Sequence, residues 1–487
     1  MTLELLARVG AVAAAGGLAA LVVARPSRLR LGGLGLWAAG LALMVPLLVP
    51  DGQARVLAAG ALLFVVMAPA LAFLFRRVPW ALPFLGLAAV PARVPVDVGD
   101  ETANLLVPLY LVVAGAALEL GWSLWRDEAR SRELGRAAWP LAAYVAWVGL
   151  SATWAGDATE AAVVLFFFIF PFGLLALAIA RLPWRERPPV WLFRLLVAMA
   201  FLFAAVGIAQ WATKEVFWNE KVMRGNENSV LFRVNSLFWD PSMYGRFLVV
   251  AILAILVVLV GTWARERLLP LVAVVLVLWV GLLFSFSQSS FMALSVGLAV
   301  VALLAWGRRA ALALAALLVV SILTLLFAPP LESVRQKLTD GSSESLNKAT
   351  RGRSDLILNG LKIAAEHPIV GVGIGNFTSA YEERFKTAGR GRAPASHTTP
   401  VTVAAETGIV GLGLFSWFLA AVFALGFGVR RVSAETLRLT GLVAFVGIAA
   451  ILVHSLFYSA FLEDPMTWGL VGLAALCAST AAALRKA

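Results

Sequence analysis

The sequence predicts an all-α, polytopic integral membrane protein, and three observations carry that prediction. Of 487 residues, 61% are apolar and 14% charged, against about 45–50% and about 25% in an ordinary soluble chain. The apolar residues fall in runs of about 17 to 22, long enough to cross a bilayer core as helices. The net charge of +12 sits largely in short arginine clusters between those runs, which reads as a topology signal and argues against a nucleic-acid surface.

Fifteen runs are candidate spans, with twelve as the lower bound. They are Leu5 to Ala24, Gly33 to Val49, Val56 to Phe75, Trp80 to Val90, Leu105 to Trp125, Ala137 to Trp154, Ala161 to Ala180 and Val190 to Trp211. After a polar interval come Phe247 to Trp263, Leu268 to Phe284, Phe291 to Trp306 and Ala310 to Phe327. Pro400 to Phe427, Leu437 to Tyr458 and Trp468 to Leu484 follow a longer one. Trp80 to Val90 is short for a span.

Short cytoplasmic loops hold the Arg and Lys of a membrane protein. With the N-terminus external, Arg25/Arg28/Arg30, Arg76/Arg77, Arg126/Arg130/Arg132/Arg136, Arg181/Arg185/Arg187, Arg265/Arg267, Arg308/Arg309, Arg430/Arg431 and Arg485/Lys486 all fall on the cytoplasmic side. The alternate short loops are acidic or nearly neutral, and the C-terminus is cytoplasmic. The first run has neither a basic leader nor a small-residue cleavage site, so it reads as a retained helix.

The chain divides into N-terminal helices over 1–125, a transmembrane core over 126–327 with an external segment at 212–246, a long external loop over 328–399, and C-terminal helices over 400–487. The loop carries ten Lys or Arg against seven Asp or Glu. Within it, Ser354 to Glu366 has the apolar spacing of an amphipathic helix, and Pro368 with the Gly371-Val-Gly373-Ile-Gly375 run ends that helix in a turn.

The single cysteine, Cys477, lies in the last apolar run and reads as packing; it has no partner for an internal disulfide. Three histidines without paired cysteines argue against a structural metal site. Asp157, Glu160, Glu463 and Asp464 at external span ends read as surface carboxylates, with a divalent-ion site as the alternative. His367 reads as a helix-ending residue and His454 as a hydrogen-bonded packing residue.

A basic cluster at the membrane surface suits a ligand with a phosphate head and a lipid tail, because arginine offers a planar fork matched to phosphate oxygens. Arg233, Arg246, Arg351 and Arg353 are the candidates, although any one alone reads as a solvated arginine. His397 lies at the mouth of the next span, where an imidazole can take a proton from an acceptor hydroxyl. Glu406 lies inside that span, where an ionised group is costly enough to imply a partner or a function.

Taken in order, these residues resemble the O-antigen ligase and polymerase superfamily. The motifs are Arg233-Val-x-Ser-x-Phe-x-x-Pro241, the Ser285-x-Ser287-x-x-Ser290 segment, Gly352-Arg353, Glu366-His-Pro-Ile-Val-Gly-Val-Gly-x-Gly-Asn-Phe377, Ser396-His397 and Glu406-Thr-Gly-Ile-Val-Gly-Leu-Gly413. The chain departs from the family at Ser287-Gln288-Ser289, where many members have Ser-Arg-Gly, and at His397-Thr398, where many have His-Asn. Its first three spans look additional to a twelve-helix core.

The resemblance implies an inverting, metal-independent glycosyltransferase of the bacterial plasma membrane that needs no cofactor. Its donor would be an undecaprenyl-pyrophosphate-linked glycan and its acceptor a glycan or glycolipid hydroxyl at the external face. Arg233 and Arg353, with Arg351 and Arg246 beside them, would hold the pyrophosphate. His397 would activate the acceptor with support from Glu406, and 328–399 would be the catalytic loop. A polymerase joining lipid-linked repeats is the alternative within the family. A transporter or flippase would place charges along a path through many spans, with inverted repeats, whereas here they gather at one face and no repeat is evident.

Overall fold

The computed structural model describes residues 2–49, 54–98, 101–128, 133–217, 219–227, 231–262, 265–310, 312, 314, 353–385 and 396–486. Helices dominate: α1 Leu3–Val23, α2 Ser27–Leu48, α3 Ala54–Arg77, α4 Ala81–Ala89, α5 Val107–Trp125, α6 Ala138–Ser151, α7 Ala158–Val164 and α8 Phe170–Ala180. Then come α9 Arg187–Thr213, α10 Glu220–Glu227, α11 Pro241–Thr262, α12 Arg265–Ser285 and α13 Gln288–Trp306. After the loop follow α14 Arg353–Glu366, α15 Phe377–Phe385, α16 Thr399–Gly428, α17 Glu435–Ser455 and α18 Pro465–Leu484.

Among the described residues, 12 helical stretches are long and apolar enough to cross a membrane, and the protein is a multi-pass, all-α membrane protein. Of the three other expected spans, Ala310 to Phe327 lies almost wholly outside the described residues. Ala137 to Trp154 forms the 14-residue α6, and Trp80 to Val90 forms the 9-residue α4.

Small residues let the first two helices touch. Gly10 faces Gly40 and Gly17 faces Gly33, so closely that a Cβ at any of the four would run into the opposite backbone, the close approach that glycine allows between membrane helices. α7 and α8 are joined by a π-helical turn at Leu165–Ile169. The phenylalanines there pack on other rings, with Phe167 5.7 Å from Tyr110 and Phe168 6.1 Å from Phe172.

The arginine-bearing loops meet at one end of the bundle. Glu133 accepts from Arg30 at 2.8 Å and from Arg181 at 2.5 Å, all three side chains being buried. Arg181 also donates to Ser123 Oγ, and Arg30 to the Leu21 carbonyl. Three loops far apart in sequence are thus tied together by one carboxylate. Trp184 joins them, edge-on to Trp80 and packed against the cluster of Val429, Leu437, Cys477 and Ala481.

The opposite end gathers the N-terminus, the 151–160 loop and the 371–377 loop. Arg8 donates to the carbonyls of Thr153 and Ala155. The Ser151 hydroxyl accepts from Ile374 N–H, and Asn376 bonds the Asp157 backbone in both directions. Asp157 meanwhile caps α7 through the N–H groups of Thr159 and Glu160, so it is a structural carboxylate. α6, running from the Glu133 end to Ser151 beside Ile374, therefore joins the two ends despite its length.

A second consequence of geometry concerns 78–106. Arg76 meets Glu128 at 2.6 Å and Glu119 at 4.0 Å, and Gly115 packs on Leu71 and Phe75. α3 and α5 therefore run parallel, and the chain between them must return across the bundle. It does so with α4, which starts where Trp80 Nε1 donates to the Pro183 carbonyl, and then with an antiparallel hairpin, Val94–Val98 against Glu101–Leu105. A nine-residue helix rises about 14 Å at 1.5 Å per residue, so the extended segment supplies the remaining reach. The sequence reading lacked this hairpin.

Candidate functional site

The turn that carries Arg233 is built by amide side chains. Asn226 exchanges hydrogen bonds with the Arg233 backbone, accepting its N–H and donating to its carbonyl, both at 2.9 Å. Gln210 does the same for Ser236, whose φ is +51°. Asn219 donates to the Trp239 carbonyl. Asp240 then accepts from Ser242 N–H and starts α11. With its backbone held at several points, the turn presents Arg233 in one place, and Arg233 Nε donates to the Ser285 carbonyl at 3.1 Å.

Ser285 opens the serine turn between α12 and α13. Ser287 caps α13, accepting from Ser290 N–H, and its hydroxyl is bonded to those of Ser289 and Ser290. Ser289 Oγ lies 3.0 Å from His454 Nε2. Gly245 of α11 packs directly on Ser290, which brings Arg246 to the same neighbourhood. The serine motif is thus a hub holding the Arg233 turn, α11 and α17. His454, fully buried, is the hydrogen-bonded packing residue that its position suggests.

Arg246 is buried at 6% exposure and pairs with buried Asp464 at 3.4 Å, while its Nη1 has no partner among the described residues. Asp464 also caps α18 through Met466 N–H, so it is a buried ion-pair partner and not the surface carboxylate expected from its place at a span end. Arg93, between α4 and the hairpin, approaches from the other side, donating to the Asn104 carbonyl at 3.1 Å and lying 3.6 Å from Met243 Sδ. Arg93 and Arg246 both act electrostatically on Glu463. The Glu463 side chain is exposed, and desolvation by the surrounding protein pushes its carboxyl up to about 7 against the pull of the two arginines. Burial likewise raises the Tyr458 phenol.

The two longest motifs of the matched order fit each other. α16 is broken at Gly408, whose φ is +67°. Around the break, the carbonyl of Ala405 accepts from Val372 N–H at 2.9 Å and that of Glu406 from Gly373 N–H at 2.8 Å. Ile409 N–H donates to the Pro368 carbonyl, and Trp147 donates to that of Thr407. A Cβ at Gly408 or Gly371 would collide with the other segment's backbone. The glycine-rich turn thus replaces the backbone partners that the helix loses, which an apolar surrounding requires. The Glu406 side chain, 7% exposed, accepts from Phe377 N–H at 3.2 Å.

α14 rests on α16 with Gly360 beside Val401 and Pro368 bonded to Ile409. The two helices are therefore parallel, and their first residues, Arg353 and Thr399, the latter two positions after His397, share one end. The side chain of Arg353 and the whole of Arg351 lie outside the described residues. His397 has φ +61°, between Ser396, bonded to Thr402, and Thr398, whose carbonyl accepts from both. Thr402 Oγ1 reaches Ser459 Oγ at 3.3 Å, which ties the His397 turn to the Tyr458–Asp464 segment.

Two clusters result: Arg233 with the serine turn, Arg246, Asp464 and Arg93; and the His397 turn with α14 and Glu406. The Thr402–Ser459 contact links them. Sequence reasoning missed Arg93, Glu463 and Asp464 as members of the first cluster. The alternation Val94, Val96, Val98 before a Gly-Asp turn was a readable hairpin signal that would have drawn attention to Arg93.

No curated protein matches the chain. Residues 273–416, from within α12 to Ser416 in α16, match the family described as O-antigen ligase, and this match supports the O-antigen ligase and polymerase superfamily, with a ligase or polymerase type of activity in general.

Proposed function

We propose that the protein is an inverting, metal-independent glycosyltransferase of the bacterial plasma membrane. Its donor is a glycan on undecaprenyl pyrophosphate, and the acceptor is a hydroxyl of a glycan or glycolipid at the external face. The observation that carries this reading is the docking of the 368–377 turn into the broken α16, which sets the His397 turn and the start of α14 at one end of the bundle, tied to the segment carrying Asp464. The collection of arginine loops at the other end supports an external site by the positive-inside rule.

In the step proposed, the acceptor oxygen attacks the anomeric carbon as its proton passes to His397. The bond from that carbon to the pyrophosphate oxygen breaks, and the electron pair leaves with the pyrophosphate. Arg233, Arg246 and Arg353, with Arg351 beside it, neutralise the departing charge. Glu406 positions the loop end through the Phe377 amide. Transfer to a separate acceptor makes the protein a ligase; transfer to a second lipid-linked repeat would make it a polymerase.

The test is purified protein with a lipid-linked oligosaccharide, the products separated by size. One shifted acceptor band indicates a ligase, a ladder a polymerase, and an unchanged donor overturns the reading. His397→Ala should lower turnover by about 10²- to 10⁴-fold, the usual worth of a positioned base, with donor binding retained.

A further inference from the structure

An apolar cavity of about 530 Å³ is lined at one end by sequence neighbours of Arg93 and Arg246, though not by the two arginines themselves. Its lining includes Val90, Leu109, Val250 and Pro465. Val90 is three residues before Arg93, Leu109 precedes Tyr110, Val250 lies one helical turn beyond Arg246, and Pro465 follows Asp464. The cavity reaches Thr436, in the first turn of α17, which starts at the arginine-loop end. Charged side chains, Arg194 and Glu435, enter its lining only toward that end.

The arrangement is amphipathic along its length. At the end beside Arg93, Arg246 pairs with Asp464, Arg93 and Arg246 both act on Glu463, and Arg246 keeps one nitrogen, Nη1, buried without a partner among the described residues. A buried charged donor left unmade is costly, and an anionic ligand oxygen would satisfy it. Below lies an apolar trough that water would occupy poorly.

We propose that Arg93 and Arg246 seat the phosphate-bearing head of the lipid-linked donor, and that the cavity below them takes the adjoining part of its hydrocarbon chain. This rests on the glycosyltransferase reading above. What it adds is Arg93 and one cavity wall, both supplied by the 78–106 crossing that precedes the family-matched residues 273–416.

The test uses full-length protein in phosphatidylcholine vesicles and two donors, one on a long polyprenyl chain and one on an ethyl group. Gly86 and Gly469 line the cavity, and a Cβ at either meets nothing within 4 Å, so Gly86→Leu and Gly469→Leu fill the trough without a backbone clash. Arg93→Ala should raise KM for both donors by about 10- to 100-fold, as loss of a charge-assisted contact does, and Arg93→Lys should restore part of it. The leucine variants should raise KM for the long donor at least about tenfold and leave the ethyl donor, which has no chain to enter the cavity, unchanged. Unchanged KM for the long donor in the leucine variants overturns the proposal. So does loss of a co-purifying phospholipid, read by mass spectrometry, with donor kinetics intact. If wild type turns over neither donor, the enzyme reading fails, and direct binding of polyprenyl pyrophosphate to the same variants still decides the seat.

Discussion

The Glu406 carboxylate accepts the Phe377 amide at 3.2 Å from inside a broken helix, so one side chain fastens the end of the glycine-rich turn to α16. This relationship explains why an acidic residue stands at a depth where ionised groups are expensive: its partner is backbone.

Glu406→Leu should leave the Phe377 N–H buried and unmatched, at a cost of about 1–3 kcal/mol. Glu406→Gln keeps an acceptor oxygen and should hold both thermal stability and turnover within a few-fold of wild type. A large loss of turnover in the Gln variant at unchanged stability would move Glu406 from positioning to proton transfer.

Glu133 neutralises two buried arginines. Removing one member of a buried ion network strands the others, typically at about 3–5 kcal/mol. Glu133→Ala should therefore lower the unfolding temperature in detergent sharply, whereas Arg224→Ala, which breaks the exposed Arg224–Glu220 pair, should change it very little. Equal shifts in the two variants would mean that Glu133 does not hold the loops together.

Thr159 and Arg309 are exposed at opposite ends of the bundle. Cysteines placed there should react oppositely with an impermeant thiol reagent in intact cells, Thr159→Cys labelling and Arg309→Cys protected, while native Cys477 stays buried and silent. Labelling at Arg309→Cys with protection at Thr159→Cys would invert the orientation.

Glu463 gives a pH signature. Desolvation by the surrounding protein lifts its carboxyl to about 7, above its unfolded value of about 4.3. Over that interval the folded chain keeps a proton that the unfolded chain has lost, so stability falls as pH rises from about 4 to about 7 and is level above. Glu463→Gln should match wild type near pH 4 and unfold at higher temperature than wild type at pH 8. Parallel unfolding curves at both values would show that Glu463 titrates as an ordinary carboxyl.

The spans were legible because twenty apolar residues admit few alternatives in a bilayer, and the arginine loops because lysine and arginine resist translocation. The 14-residue α6 shows the limit of hydropathy: its neighbours' positions, and not its length, reveal that it joins both ends. The return path over 78–106 was only half visible, since an eleven-residue apolar run suggested a span but not the hairpin that completes it. The polar turn that carries Arg233 was readable from its motif. Arg93 and Asp464 were not, because their proximity to Arg246 depends on which helices pack side by side, and no local pattern encodes that. The pairing of the 366–377 and 406–413 motifs was visible only as order along the chain; their shared backbone hydrogen bonds give the order its reason.

The break at Gly408 has a consequence for how such proteins can be recombined. A transplanted α16 would bring with it carbonyls at Ala405, Glu406 and Thr407 that its own helix does not serve, and most of the groups that serve them are made earlier in the chain, before the rest of the loop. The heritable module is accordingly neither the loop nor the helix but the pair, and a chimera whose crossover falls between Phe377 and Glu406 joins two halves shaped by different histories across a seam that only matched backbones can close.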